Sequence, residues 1–463
     1  MPLLEGVNLS GLIIALALPW LCGAALLGAF LPRPRPMIVF GHGYMVGQLL
    51  VILILLALDA VGAGVSFLPV AAILIMILLA SAAIWWRRSA GIGLPTPGRD
   101  VLWHLLWLLP LAWFAFERGS VLASELMLRP LYAWDAWMNW VPRAVVWFEH
   151  GQLTPFVSPA QWLQATPGAE VYTLGNWRAA EYPPGIPLLL LWVMLGAGTA
   201  DHTLLYLPWL LLPASLAMAI WGHLRSRSAV PWLAGLAVFA WLSQPLPNIH
   251  AALAGYADLW LAAAFCFAAM ALDEWQSRGD FKYGVLALVM AGACALFKVP
   301  GLALAGIVVV AAIIVAWRPS TRLLFAAVAV AACALAAGLI AGMWADPQGG
   351  GGSWAQLELF ATLPTLNFRP SPLLPYLWES LFVQANWHLL WLLVLLATGL
   401  GLVARERALV GDVALLVLLA ALGFVLAVFG FTHYFDQAVN GVTFSNRNCI
   451  TIYEVWLGKE FLS

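Results

Sequence analysis

Polar residues are gathered into short clumps along this chain, and the stretches between them are almost wholly apolar for about 20 residues at a time. Apolar runs lie at 11–30, 39–60, 66–86, 101–117, 203–223, 230–246, 256–273, 283–298, 301–317, 322–344, 386–404 and 409–431. A helix rising 1.5 Å per residue needs about 20 such residues to cross the hydrocarbon core of a bilayer, so the pattern predicts about twelve transmembrane helices. Nothing alternates with a period of two over segments of about ten residues, the pattern of a membrane barrel. A shorter run, 185–198, comes directly after Pro183-Pro184-Gly185 and reads as a re-entrant or interfacial helix. The run at 11–30 is preceded by Glu5 and by no Lys or Arg, which makes it a first span rather than a secretion signal.

Basic residues set the direction of these spans. Arg33, Arg35, Arg87, Arg88, Arg99, Arg225, Arg227, Arg278, Lys282, Arg318, Arg322, Arg405 and Arg407 fall on one side of the membrane if 185–198 does not cross it. By the excess of Lys and Arg in cytoplasmic loops, that side is the cytoplasm. The chain then divides into N-terminal helices (1–117), a loop with interfacial and re-entrant helices (118–202), central helices (203–344), a second loop (345–385), C-terminal helices (386–431) and a tail (432–463). Both large loops and the tail lie outside the cytoplasm. The expected fold class is an all-α polytopic membrane protein.

Composition narrows the functions. Of 463 residues, 63% are hydrophobic and 9% charged, against roughly 25% charged in soluble domains. A soluble enzyme is excluded, and 21 basic residues against 22 acidic ones leave no basic surface for nucleic acid. Cys22, Cys266, Cys294 and Cys333 sit in apolar runs, and no cysteine pair has the spacing of a metal site. Subtracting the cytoplasmic cations leaves Arg118, Arg129, Arg143, Arg178, Lys298, Arg369, Arg447 and Lys459 for the outer side.

Chemistry-bearing residues concentrate in the 118–202 loop. In Tyr132-Ala-Trp-Asp-Ala-Trp-Met-Asn-Trp-Val-Pro-Arg143, Asp135, Asn139 and Arg143 recur every four residues and form one polar helical stripe beside an aromatic face of Trp137, Trp140 and Trp147. A carboxylate at such a boundary suits a general base, and a guanidinium suits a lipid phosphate. Glu181 and Tyr182 are held by the two prolines at the mouth of the 185–198 segment, where an acid could meet a sugar hydroxyl. His250, Tyr256 and Asp258 cluster at the outer start of one span, where Asp258 could equally serve as a helix cap. Lys298 interrupts an apolar hairpin, and a cation there is costly. Arg447 is a cation of the outer tail.

Asp135, the Phe148-Glu-His-Gly-Gln-Leu-Thr-Pro-Phe156 stretch and Glu181-Tyr-Pro-Pro-Gly-Ile-Pro-Leu-Leu189 together resemble the first outer loop of GT-C membrane glycosyltransferases, in the branch of the aminoarabinose transferases of lipid A and the protein O-mannosyltransferases. Gly255-Tyr-Ala-Asp-Leu259 and Lys298-Val-Pro-Gly301 resemble later landmarks of such chains. The resemblance implies transfer of a sugar, with inversion, from a polyprenyl-phosphate carrier to an extracytoplasmic acceptor that is a lipid, glycan or protein. It implies Asp135 as catalytic base and favours Glu181 for the sugar or acceptor site; the scarcity of outer cations makes Arg143, Lys298 and Arg447 the expected phosphate ligands, and Tyr182, Asn139, His250, Tyr256 and Asp258 complete the expected substrate-binding set. No obligatory metal or other cofactor is expected. The setting it implies is the bacterial inner membrane, with the active site facing outward. The competing expectation is a transporter or flippase for a lipid-linked or small polar substrate, which would need polar groups at the bilayer midplane rather than an acid in an outer loop.

Overall fold

The computed structural model describes residues 6–32, 35–89, 101–128, 133–166, 168 and 170–317, and, further on, 356–357, 366–367, 378, 382–383, 387, 390–392, 395–396 and 413–431. Two compact units divide at Gly306 and Ile307.

The first unit is helical. It begins with α1 (Leu9–Phe30), α2 (Pro36–Ala60), α3 (Phe67–Ser89) and α4 (Val101–Leu128). A π-turn at Ala136–Trp140 runs into α5 (Val141–His150), followed by α6 (Pro159–Gln164), a 3-10 turn at Trp177–Glu181 and α7 (Gly185–Ala197). After a 3-10 turn at Thr203–Tyr206 come α8 (Leu207–Ser226), α9 (Pro231–Leu242), α10 (Pro245–Ala252), α11 (Asp258–Arg278) and α12 (Phe281–Phe297). Helix α13 (Gly301–Trp317) crosses the boundary between the units. In the second unit, the described residues form a two-residue antiparallel pair, with Gln356 opposite Asn367, and α14 (Val413–Phe431).

Among the described residues, four helical segments are long and apolar enough to cross a membrane: Leu9–Phe30, Pro36–Ala60, Phe67–Arg88 and Thr203–Ser226. They coincide with runs expected from the sequence. The expected runs at 322–344 and most of 386–404 lie outside the described residues. Helix α2 is the central post, lined by Ile38, Tyr44, Val51, Ile52 and Leu55, all fully buried. Helix α3 instead turns Leu68, Met76, Leu79 and Trp86 outward. A water-facing surface rarely carries so continuous an apolar stripe, and the face suits lipid.

Two boundaries differ from the sequence expectation. Helix α4 continues past 117, through Glu117, Arg118 and Gly119, to Leu128. Ser120 and Ser124 donate to the carbonyls of Phe116 and Ser120, so these polar residues extend the helix instead of ending it. The expected span 230–246 breaks at Ser243-Gln244, because Pro245 starts a new helix and its ring cannot continue the old one.

Helix α7 has 13 residues, about 20 Å of rise against a hydrocarbon core of about 30 Å. Twelve of its residues are buried in the protein. Two close approaches seat it. A Cβ on Gly11 would lie 2.1 Å from the Gly196 carbonyl oxygen, so α1 and α7 touch backbone to backbone. A Cβ on Gly185 would lie 2.4 Å from the Leu296 carbonyl oxygen, which brings the start of α7 against the end of α12. Trp192 donates its indole N–H to the Ala15 carbonyl at 2.8 Å.

Candidate functional site

Three breaks in helical structure converge. Asp135 stands at the start of the π-turn that leads into α5. Asp258 is the first residue of α11, where the exposed N–H groups of the first turn favour an acid. Lys298 comes after α12 in an extended conformation (φ −155°, ψ 151°), one residue ahead of Val299-Pro300, and its carbonyl accepts the Gly301 N–H at 2.8 Å. The Pro-Gly pair thus ends one helix and starts the next with Lys298 at the corner.

The Lys298 ammonium lies 2.5 Å from Asp258 Oδ1 and 4.0 Å from Asp135 Oδ2. The Asp258 side chain is 3% exposed, that of Asp135 13% and that of Lys298 23%. The group is therefore dry on one side and open on the other. Two carboxylates share one cation in it, leaving an excess of negative charge. Beneath it lies an aromatic stack. Trp260 packs on Phe297 with ring centres 5.6 Å apart, and on Tyr44 and Trp209. Trp209 donates to the Tyr256 carbonyl at 2.8 Å, which fixes the turn that carries Asp258.

On the opposite flank of Asp135, the Asn139 amide donates to Oδ1 at 2.8 Å, and the Asn139 oxygen accepts the Asn176 amide at 2.8 Å. The Tyr182 ring lies tilted against Trp140 with ring centres 5.4 Å apart and reaches Lys298 electrostatically. His250 is 4% exposed and lies against the Tyr256 ring, with centres 6.0 Å apart. Burial, assisted by the Lys298 cation, holds the imidazole down to about 3, so it is neutral at physiological pH.

Most of the residues singled out from the sequence thus meet here: Asp135, Asn139, Tyr182, His250, Tyr256, Asp258 and Lys298. Arg143 does not join the shared ion pair. The expected stripe of Asp135, Asn139 and Arg143 is split by the π-turn, whose wider pitch rotates the residues beyond it. Arg143 instead donates to the carbonyls of Tyr182 (2.8 Å) and Ala179 (3.3 Å) and lies over the Trp147 ring at 5.2 Å. It is 5% exposed, and burial lowers its guanidinium to about 10. It therefore stays charged and pins the segment that presents Tyr182. Glu181 is exposed and makes no hydrogen bond or ion pair among the described residues. Arg447 lies outside the described residues, as do Arg129, Arg369 and Lys459.

Sequence reasoning missed Asn176. A lone asparagine in a loop carries no periodic signal, and only the approach of its 3-10 turn to the π-turn reveals a partner. Among the described residues, no group of three or more His, Cys, Asp or Glu is placed to hold a metal ion. The arrangement can accept a proton at a carboxylate, hold a small polar molecule beside it and offset new negative charge at Lys298. No protein-family model, curated protein or solved structure matches the chain.

Proposed function

We propose that this protein is an integral-membrane glycosyltransferase of the GT-C kind, with about twelve transmembrane helices and its active site on the extracytoplasmic face of a bacterial inner membrane. It moves a sugar from a polyprenyl-phosphate carrier to a lipid, glycan or protein acceptor. One observation carries the reading. Asp135, Asp258 and Lys298 are far apart in the chain, yet both carboxylates lie within 4.0 Å of the Lys298 ammonium.

The chemistry is a single inverting displacement. Asp135 takes the proton of the acceptor O–H or N–H. The acceptor atom forms a bond to the anomeric carbon as the bond from that carbon to the carrier phosphate breaks. The phosphate leaves with the electron pair, and its added charge is offset by Lys298, which Asp258 holds in place. Asn139 orients the base. Arg143 holds Tyr182 against the site instead of binding phosphate. Trp134 and Trp137, each more than a third exposed, form a membrane-interface flank where a polyprenyl chain can approach.

The test is incubation of the purified protein with a panel of labelled polyprenyl-phosphate sugars, with release of the carrier as readout. Wild type should release carrier, and Asp135→Asn should bind the donor without releasing it. Transport of a lipid-linked or polar substrate that survives Asp135→Asn would favour the transporter reading and overturn this one.

A further inference from the structure

The side chain of Asn176 has an unusual assignment. It occupies the residue just ahead of the 3-10 turn Trp177–Glu181, a place where asparagine ordinarily caps the first N–H groups with its own oxygen. Here it makes no such cap. Its Nδ2 donates to Asn139 Oδ1 at 2.8 Å, and Asn139 Nδ2 donates to Asp135 Oδ1 at 2.8 Å. A carboxylate only accepts, so Asp135 fixes which way the Asn139 amide faces, and Asn139 in turn fixes Asn176. Reversing either amide would set oxygen against oxygen or N–H against N–H. The two ends of the relay come from different turns, and a Cβ added at Gly175 would lie 3.4 Å from the Met138 side chain, so the two turns are close there as well.

We propose that Asn176 is a positioning residue. It acts through Asn139 to commit Asp135 Oδ1 to the relay, so that Oδ2, the oxygen facing Lys298, is the one that receives the acceptor's proton. The inference rests on the glycosyltransferase reading for the identity of that proton, but the orientation of the carboxylate can be measured without it. The charged and titratable groups that face Asp135 are Lys298 at 4.0 Å, Asp258 across the same ammonium, and His250 and Tyr182 beside it. Substitution at Asn176 leaves all of them in place.

Three variants separate positioning from packing. Asn176→Ala removes the donor, and kcat should fall about tenfold with little change in KM. Asn176→Asp keeps the shape but offers only acceptors. It draws the Asn139 amide away from Asp135, so it should be worse than alanine. If the side chain only filled space, aspartate would be the better replacement. In an Asn139→Ala background, Asn176→Ala should cost nothing further, because the relay to Asp135 is already cut.

The second readout is infrared titration of the carboxyl bands with isotopically labelled aspartate, the Asp135 band being identified by its loss in Asp135→Asn. The midpoint should rise by about half a unit or more in Asn176→Ala, since a donor to the charged form has been loosened, and further in Asn176→Asp. An unchanged midpoint in both variants, or full additivity with Asn139→Ala, overturns the positioning role. If the midpoint moves as expected while wild type releases no carrier from any polyprenyl-phosphate sugar, the positioning role stands and the glycosyltransferase reading falls.

Discussion

Helix α11 carries an ion cluster at each end, and the two are built on opposite plans. Asp258 opens the helix, and Glu274 lies about 24 Å further along its axis. Glu274 is fully buried. It meets His223 Nδ1 at 3.1 Å and also accepts from the Ser226 hydroxyl and the Arg278 guanidinium. There, donors outnumber the single acid, and α8 is clamped to α11. At the other end two carboxylates compete for Lys298, and the group is open on one side. An acid saturated with donors has little left to give a substrate and serves the fold. A surplus of acid at a partly exposed place costs the fold something and leaves a group that can take a proton. The ratio of donors to acids thus sets the two ends of α11 apart.

The contrast between the two ends breaks most sharply at Asp135. Asp135→Asn should lower turnover by about a thousandfold, the usual span for loss of a general base. Its melting temperature in detergent should stay near that of wild type. A large loss of stability with turnover intact would put Asp135 in the same class as Glu274. Conversely, Glu274→Ala should destabilise by about 3–5 kcal/mol, because it strands buried donors and a cation. The check is thermal unfolding of the purified protein, with per-molecule activity of the folded fraction unchanged.

A smaller effect comes from His250. The unfolded chain binds a proton on this imidazole near 6.5, whereas the folded site refuses it until about 3. Stability from this group is therefore complete above 6.5 and is lost as the pH falls through the window toward 3. The slope should approach about 1.4 kcal/mol per pH unit. Melting curves of wild type and His250→Gln across that range should show a flatter dependence in the variant. Smallest of all, Glu181→Gln should change turnover by less than about threefold, as befits an exposed acid outside the ion cluster. A hundredfold loss would return Glu181 to the sugar site.

Much of this architecture was legible in the sequence, for physical reasons. Long apolar runs marked α1, α2, α3 and α8 within a few residues, because only a helix satisfies its own backbone in lipid. The prolines before 185 announced a short helix, and α7 proved short and buried. Asp258 and Lys298 stood out because a charge bordering an apolar run is expensive and needs a reason. The failures are equally physical. Helical periodicity placed Arg143 in line with Asp135, and a single π-turn, invisible to any pattern of 3.6 residues, removed it. Asn176 was illegible because its role depends on a contact between two irregular turns, which local preferences do not encode. The continuation of α4 past Glu117 was hidden by polarity, since charge ends an apolar run without ending a helix.

The seating of α7 bears on how the protein is made. Its backbone contact with α1, through Gly11 and Gly196, uses a helix that leaves the ribosome long before α7 does. Helix α2 and the π-turn also precede it. The part of the site that carries Asp135 and Asn139 is therefore complete in sequence while synthesis is still under way. Lys298 follows later, behind α12, so the cation that Asp135 and Asp258 share is the last of the three to be synthesised. With that lysine the two acids gain the cation they share, and the end of α12 lies against the start of α7 at Gly185.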